Sequence, residues 1–279
     1  MQLKSKYLLT ALVAAGISAA VFPANAATTL YNPGDLLMGF RATGGTGSTS
    51  ALVVNLGPAY LLRDNTGSST LIDISSALTS TYGAGWDTRT DLTFGFAGVF
   101  SSATLGSTVT NGDPRQAVYF SADNTSGSIG VQGSSSVTLP GSTQMNGFAS
   151  NVAAYGQSFA AYDGSVFNGG LVAALDTATA NTWEDFTAGS SDFGTGSNTA
   201  EGVVGTSQGK ILDLYRILGV TTNANPTGPL RTGSWEGTIS LGSDGVVSFN
   251  AGASPVPEPS RALFAAMGLF ALIMRRRRA

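Results

Sequence analysis

The sequence predicts an all-β protein, a β-sandwich of jelly-roll kind with one or two short helices inserted in its connections. Three observations carry this reading. Glycine supplies 37 of 279 residues and only 11% are charged, against averages of ~7% and ~25%, the composition of a turn-rich chain with a neutral, hydroxylated surface. Nine short apolar or alternating stretches recur between Gly, Asn, Asp, Ser and Pro, the usual strand punctuation. No repeat of fixed period is present, which argues against a solenoid and leaves a closed barrel as the alternative.

The strands are expected in order at LLMGFRA (36–42), ALVVNL (51–56), AYLLR (59–63), DLTFGFAGVF (91–100) and QAVYFSA (116–122). GGLVAAL (169–175), KILDLYRIL (210–218), WEGTISL (235–241) and GVVSFN (245–250) follow. The last two are joined through Leu241-Gly242-Ser243-Asp244-Gly245-Val246, a Gly/Asp turn that predicts a hairpin. Helices are expected over 70–83, with Asp73 as cap and Gly83 as stop, and over 145–162. In the latter Phe148, Val152, Tyr155 and Phe159 fall on one stripe of helical period. A third is expected near Thr182 to Phe186.

Both ends differ from the body in charge and hydropathy. Residues 1–26 carry Lys4 and Lys6, then the apolar run YLLTALVAAGISAAVF, then Ala24-Asn25-Ala26, a small-x-small cleavage site. These three regions in this order predict a secretory signal peptide. The domain then spans 27–250, a linker 251–259, and a hydrophobic helix with an arginine cluster 260–279. From Ala27 to Val256 there are 16 acidic and 7 basic residues, a net charge of 7 − 16 = −9. An acidic body without a basic patch argues against nucleic acid and anionic lipid as partners.

The tail reads Pro257-Glu258-Pro259, then 13 apolar residues from Ala262 to Met274, then Arg275, Arg276, Arg277 and Arg278. A 13-residue helix is ~20 Å long, short of the ~30 Å hydrocarbon core. It is therefore a poor permanent anchor. The arginines favour the cytoplasmic side, which leaves the body outside the membrane. This tripartite tail resembles the PEP-CTERM sorting signal of exported proteins of Gram-negative bacteria. The resemblance covers residues 255–279 only. It implies processing by an exosortase-type membrane enzyme, a transient inner-membrane intermediate, and delivery to the cell surface or an exopolysaccharide matrix. Prolines at 255, 257 and 259 enforce an extended segment that such an enzyme can grip.

Chemistry is sparse. With no histidine and no cysteine, Ser-His-Asp and Cys-His systems, disulfides and thiolate metal sites are excluded. Gly205-Thr206-Ser207-Gln208-Gly209 matches the G-x-S-x-G pattern but has no histidine to serve as its base. A non-enzymatic protein is therefore expected. A glycan hydrolase or lyase needs only two carboxylates, for which Asp91, Asp163, Asp176, Glu184, Asp185, Glu201 and Glu236 are candidates. A carbohydrate-binding adhesin is the other alternative, with Trp86, Trp183 and Trp235 as sugar-stacking residues and extracellular polysaccharide as partner. No cofactor is expected apart from Ca2+, for which the loops 111–114, 121–127 and 243–245 offer oxygen ligands.

Overall fold

The computed structural model describes residues 29–100, 109–114, 117–133, 138–139, 142–187, 201–208, 210–218 and 231–252. Residues 1–26, expected to be a signal peptide cleaved at Ala24-Asn25-Ala26, and the tail with Pro257, Glu258, Pro259 and Arg275–Arg278 lie outside them. The first half of the chain gives β1 (Asp35–Ala42), β2 (Ser50–Pro58), α1 (Ala59–Arg63), β3 (Ser68–Asp73), α2 (Ser75–Tyr82) and β4 (Leu92–Val99). Next come β5 (Val109–Thr110), β6 (Asp113–Pro114), β7 (Val118–Asp123), β8 (Thr138–Leu139) and α3 (Ser142–Ala160). The last part holds β9 (Val166–Phe167), β10 (Val172–Asp176), α4 (Trp183–Thr187), β11 (Gly202–Val203) and β12 (Ile211–Ile217). It closes with β13 (Arg231–Thr232), β14 (Ser234–Leu241) and β15 (Val246–Ala251).

Eleven strands form one sheet of order β3-β15-β14-β12-β7-β4-β1-β2-β10-β9, with β11 added on β4. Every pair in it is antiparallel. The expectation holds in its coarse form: the chain is mostly β, a curled antiparallel sheet with few helices. The helices number four among the described residues, however, rather than one or two short ones, and α3 runs for 19 residues. Where a sandwich would use two sheets, the ladders from β12 through β7 to β4 run without a break.

Alternation along β1 explains why one sheet serves two cores. Leu36, Met38 and Phe40 point into one cluster with Phe94, Phe96, Leu52, Ile239, Val247 and Phe249, the interior of the curl. Leu37 points the other way, into a cluster with Val53, Phe120 and Tyr215. Helix α3 covers that second face with Phe148, Val152, Tyr155 and Phe159, all buried. Burying such side chains is worth ~1.5–3 kcal/mol each. The stripe expected from the sequence is thus what holds α3 down, and its glycines do not interrupt it. Gly156, for one, makes room for the ring of Tyr31.

Two segments depart from the sequence expectation. AYLLR (59–63) is helix α1: after the extended Pro58 the chain buries Ala59 and Leu62, three apart, rather than alternate residues, and the helix packs against β14 and β15. The 70–83 segment splits: its first part is the edge strand β3, and only Ser75–Tyr82 is helical. Asp73 still accepts a hydrogen bond from the Ser75 amide at 2.9 Å, and Gly83, at φ 90°, ends the helix with its amide on the Thr79 carbonyl. The two helices sit at opposite ends of the curl. α1 packs against β14 and β15 where β2 ends, and α2 against the start of β2, with the Tyr82 hydroxyl donating toward the Phe40 and Ser50 carbonyls.

The predicted hairpin forms between β14 and β15, turning through Gly242 and Gly245. Opposite it, the β12–β14 register shifts between Leu214 and Tyr215, so that Glu236 bulges out. Gly237 makes this possible. Its φ is +151°, and a Cβ there would lie 2.3 Å from the Asn250 carbonyl oxygen.

Candidate functional site

The bulge fixes Trp235 on the outer face of β14, facing Tyr215 of β12. Two residues before Tyr215 on the same face stands Asp213, fully buried. Its Oδ1 accepts from the Asn124 side-chain amide at 2.8 Å and from the Trp235 indole at 3.1 Å, while Oδ2 accepts from the Gly133 amide at 3.0 Å. Three donors thus solvate one buried carboxylate. Asn124 and Gly133 bound the same loop, so Asp213 ties that loop across β12 and β14. Gln132 adds a bond to the Tyr215 hydroxyl at 2.6 Å, and the Gly130 amide one to Thr238 Oγ1 at 2.8 Å.

This loop carries Ile129 and Val131, 53% and 50% exposed. Beside Ile129 lies a groove of about 360 Å³, lined by Ser68, Ser69, Thr70, Ser240, Ser248 and Asn250. The cross-strand register explains its chemistry: Ser240, Ser248 and Thr70 form one row across β14, β15 and β3, and Thr238, Asn250 and Ser68 form the next. Alternate residues of β14 and β15, Ile239, Leu241, Val247 and Phe249, face the interior.

The tryptophans separate by burial. Trp183 is fully buried against Tyr155, its indole donating to Glu201 at 2.9 Å. A Cβ on Gly39 would lie 2.2 Å from its ring, so that position must be glycine. Trp86 is 4% exposed in the interior cluster. The sugar-stacking expectation fails for both, because neither ring has a face at the surface. Trp235 is half-buried, with Gly252 packed on its ring.

Most acids proposed for a hydrolase are engaged elsewhere. Glu201 takes the Arg41 guanidinium side-on, with Nε 2.9 Å from both its oxygens, and accepts from Thr93 Oγ1 at 3.1 Å. That leaves the polar cleft of about 250 Å³ near Asp123, Thr206 and Gln208 with a glutamate already spent on a cation. Asp91 pairs with Arg89, whose hydrogen bond holds its carboxyl below the usual carboxylate range. Asp185 accepts from the Thr182 amide at the start of α4, and Asp176 from the Ala178 amide. Glu236 accepts from Ser234, yet partial burial still raises its pKa. Asp163 is exposed and Glu184 half-buried on α4.

Two of the three loops expected to offer Ca2+ ligands, 111–114 and 243–245, use their acids in other ways. Asp113 pairs with Arg63 and Arg216 and accepts from the Tyr119 hydroxyl at 2.7 Å. Asp244 turns its own hairpin by accepting from the Val246 amide. Among the described residues no three acidic side chains come together as a cation site. No described helix is long and apolar enough to cross a membrane.

No family model matches the chain. Neither the curated proteins nor the solved structures give a match.

Asp213 and the hydroxyl rows were absent from the residues picked out by sequence. A signal for the rows exists in the alternation of Thr238-Ile239-Ser240-Leu241 and Val247-Ser248-Phe249-Asn250, but it does not say which strands lie side by side.

Proposed function

We propose that the chain is an exported, non-enzymatic protein of the cell surface or exopolysaccharide matrix, sorted through residues 255–279. The observation that carries this reading is the order of the tail: Pro257-Glu258-Pro259, a 13-residue apolar run, then Arg275–Arg278. An exosortase-type enzyme would cut near the Pro-Glu-Pro segment, releasing the body from a transient inner-membrane intermediate. The end of the domain is consistent with such a tether. Ala251 is still bound to the Gly67 carbonyl in the sheet, and Gly252 rests on Trp235, so the linker leaves from a fixed point.

The engagement of Glu201, Asp113 and Asp91 by arginines supports a structural rather than catalytic use of the charges. In this reading the curled sheet works as a sandwich-like scaffold, with the β15–β14 side facing the β1–β4 side across one core. The carbohydrate-binding alternative is favoured by one observation, the uncharged hydroxyl groove beside Ile129.

A reporter active only outside the cytoplasm, fused after Val256, tests the topology. Activity is expected. A fusion that works only with a cytoplasmic reporter contradicts the export reading.

A further inference from the structure

We infer that the groove between Ile129 and the edge strand β3 binds an uncharged polysaccharide. The inference deepens the proposed matrix setting by naming a ligand class and a site in the body, and it rests on that reading only for where the ligand is met.

The hydrogen-bonding capacity of the groove suits a sugar. Ser68, Thr70, Ser240, Ser248 and Asn250 line the groove, and among the described residues their side chains make no hydrogen bond with other protein groups. Thr238, by contrast, is buried and occupied by the Gly130 amide. Each free hydroxyl offers one donor and two acceptor lone pairs, and the Asn250 amide offers both kinds. That mixture matches sugar hydroxyls, which also donate and accept. Register fixes the array: neighbouring strands stand ~4.8 Å apart, so a row crossing three of them is ~10 Å long.

The charge of the groove and its surroundings points the same way. No lining residue is ionisable, and the surrounding body carries −9 by the count of its acidic and basic residues. A groove of this kind has no cation with which to pair a uronate, sulfate or phosphate, and the acidic body repels a polyanion. A neutral chain meets neither difficulty. Ile129 supplies an apolar wall for the C–H faces of sugar rings, on a loop that the buried Asp213 holds in place. The groove lies at the Ser68–Thr70 end of β3, away from Asp73, where Asn168 bridges to the β9 edge, so it opens onto the surface at the free end of that seam.

The test uses the full-length chain in detergent, run in native gels containing amylose, dextran, a soluble β-1,3-glucan or a galactomannan, with polygalacturonate as the anionic counterpart. Retardation by at least one neutral polymer and none by polygalacturonate is expected. Ser248→Val, at the centre of one row, should weaken that retention about tenfold by leaving sugar hydroxyls without their partner, with an unchanged thermal midpoint. If that variant does not fold, Thr70→Val on the exposed edge strand reads the same contact. Three results overturn the inference: no retardation by any neutral polymer, retention undiminished in a folded variant, or preference for polygalacturonate. Concentration-dependent dimers without glycan retention assign the face to a second copy and overturn it too. None of these touches the tail, whose processing is read separately from the mass of the mature chain.

Discussion

Asn168 joins the two edges of the sheet: its side-chain amide donates to the Asp73 carbonyl at 2.6 Å across a sequence separation of 95. Asp73 ends β3 and Asn168 follows β9, the two terminal strands of the order. Phe167 beside it and Leu71 and Ile72 of β3 pack on the same interior cluster, so the curl brings its edges together over shared apolar residues. No ladder runs between β3 and β9 among the described residues.

Replacing Asn168 should therefore loosen the seam without dismantling the sheet. Its φ is +50°, a conformation that asparagine tolerates and alanine does not. Asn168→Ala should cost about 1–2 kcal/mol, from one exposed hydrogen bond and the left-handed backbone together. Asn168→Gly loses the bond but relieves the strain, and should cost less. Urea denaturation of both variants checks the order; equal losses would mean that the backbone term is negligible.

Asp213 gives a second test. In Asp213→Asn, one oxygen becomes a donor that must face the Asn124 amide, the indole of Trp235 or the Gly133 amide. A loss of about 1–3 kcal/mol is expected, with faster proteolysis inside 124–133 than elsewhere. A variant that is less stable but cut no faster in this loop would separate the carboxylate from loop anchoring.

Much of the β scaffold was legible because alternation is local: β1, β2, β4, β12, β14 and β15 coincide closely with segments expected from pattern alone. The short partner strands β9 and β11 left no such mark, having two residues each. α1 misled because Ala-Tyr-Leu-Leu-Arg is apolar enough for a strand, and its helical state is decided by the β14 and β15 surfaces it meets. Sheet order is not written in any one segment, so sandwich and curled sheet looked alike. The candidate site suffered most. Tryptophans draw attention by residue type, but Trp86 and Trp183 are core residues, whereas the groove is built from serines and a threonine that become distinctive only once β3, β15 and β14 are neighbours.

Stability should fall at alkaline pH. Burial pushes the Tyr31 phenol up to about 12, and raises Tyr82, Tyr119 and Tyr155 as well. In the unfolded chain a phenol ionises near ~10. Above that pH the unfolded state binds fewer protons than the folded one, so each raised phenol lowers stability as pH climbs from the unfolded value toward the folded one. Denaturant midpoints should be flat up to about pH 9 and drop beyond about 10. Tyrosinate absorbance from these four should appear together with the loss of sheet signal. Full ionisation in a still-folded protein would contradict their burial.

The sorting claim is tested most directly by the mass of the mature protein recovered from the surface or matrix fraction. The account predicts a chain that ends at or near Pro257-Glu258-Pro259 and lacks Arg275–Arg278. It also predicts a longer, membrane-associated form when those three residues are changed to alanine. An intact C-terminus at Ala279 on the mature protein would contradict it, and would make the tail a simple anchor.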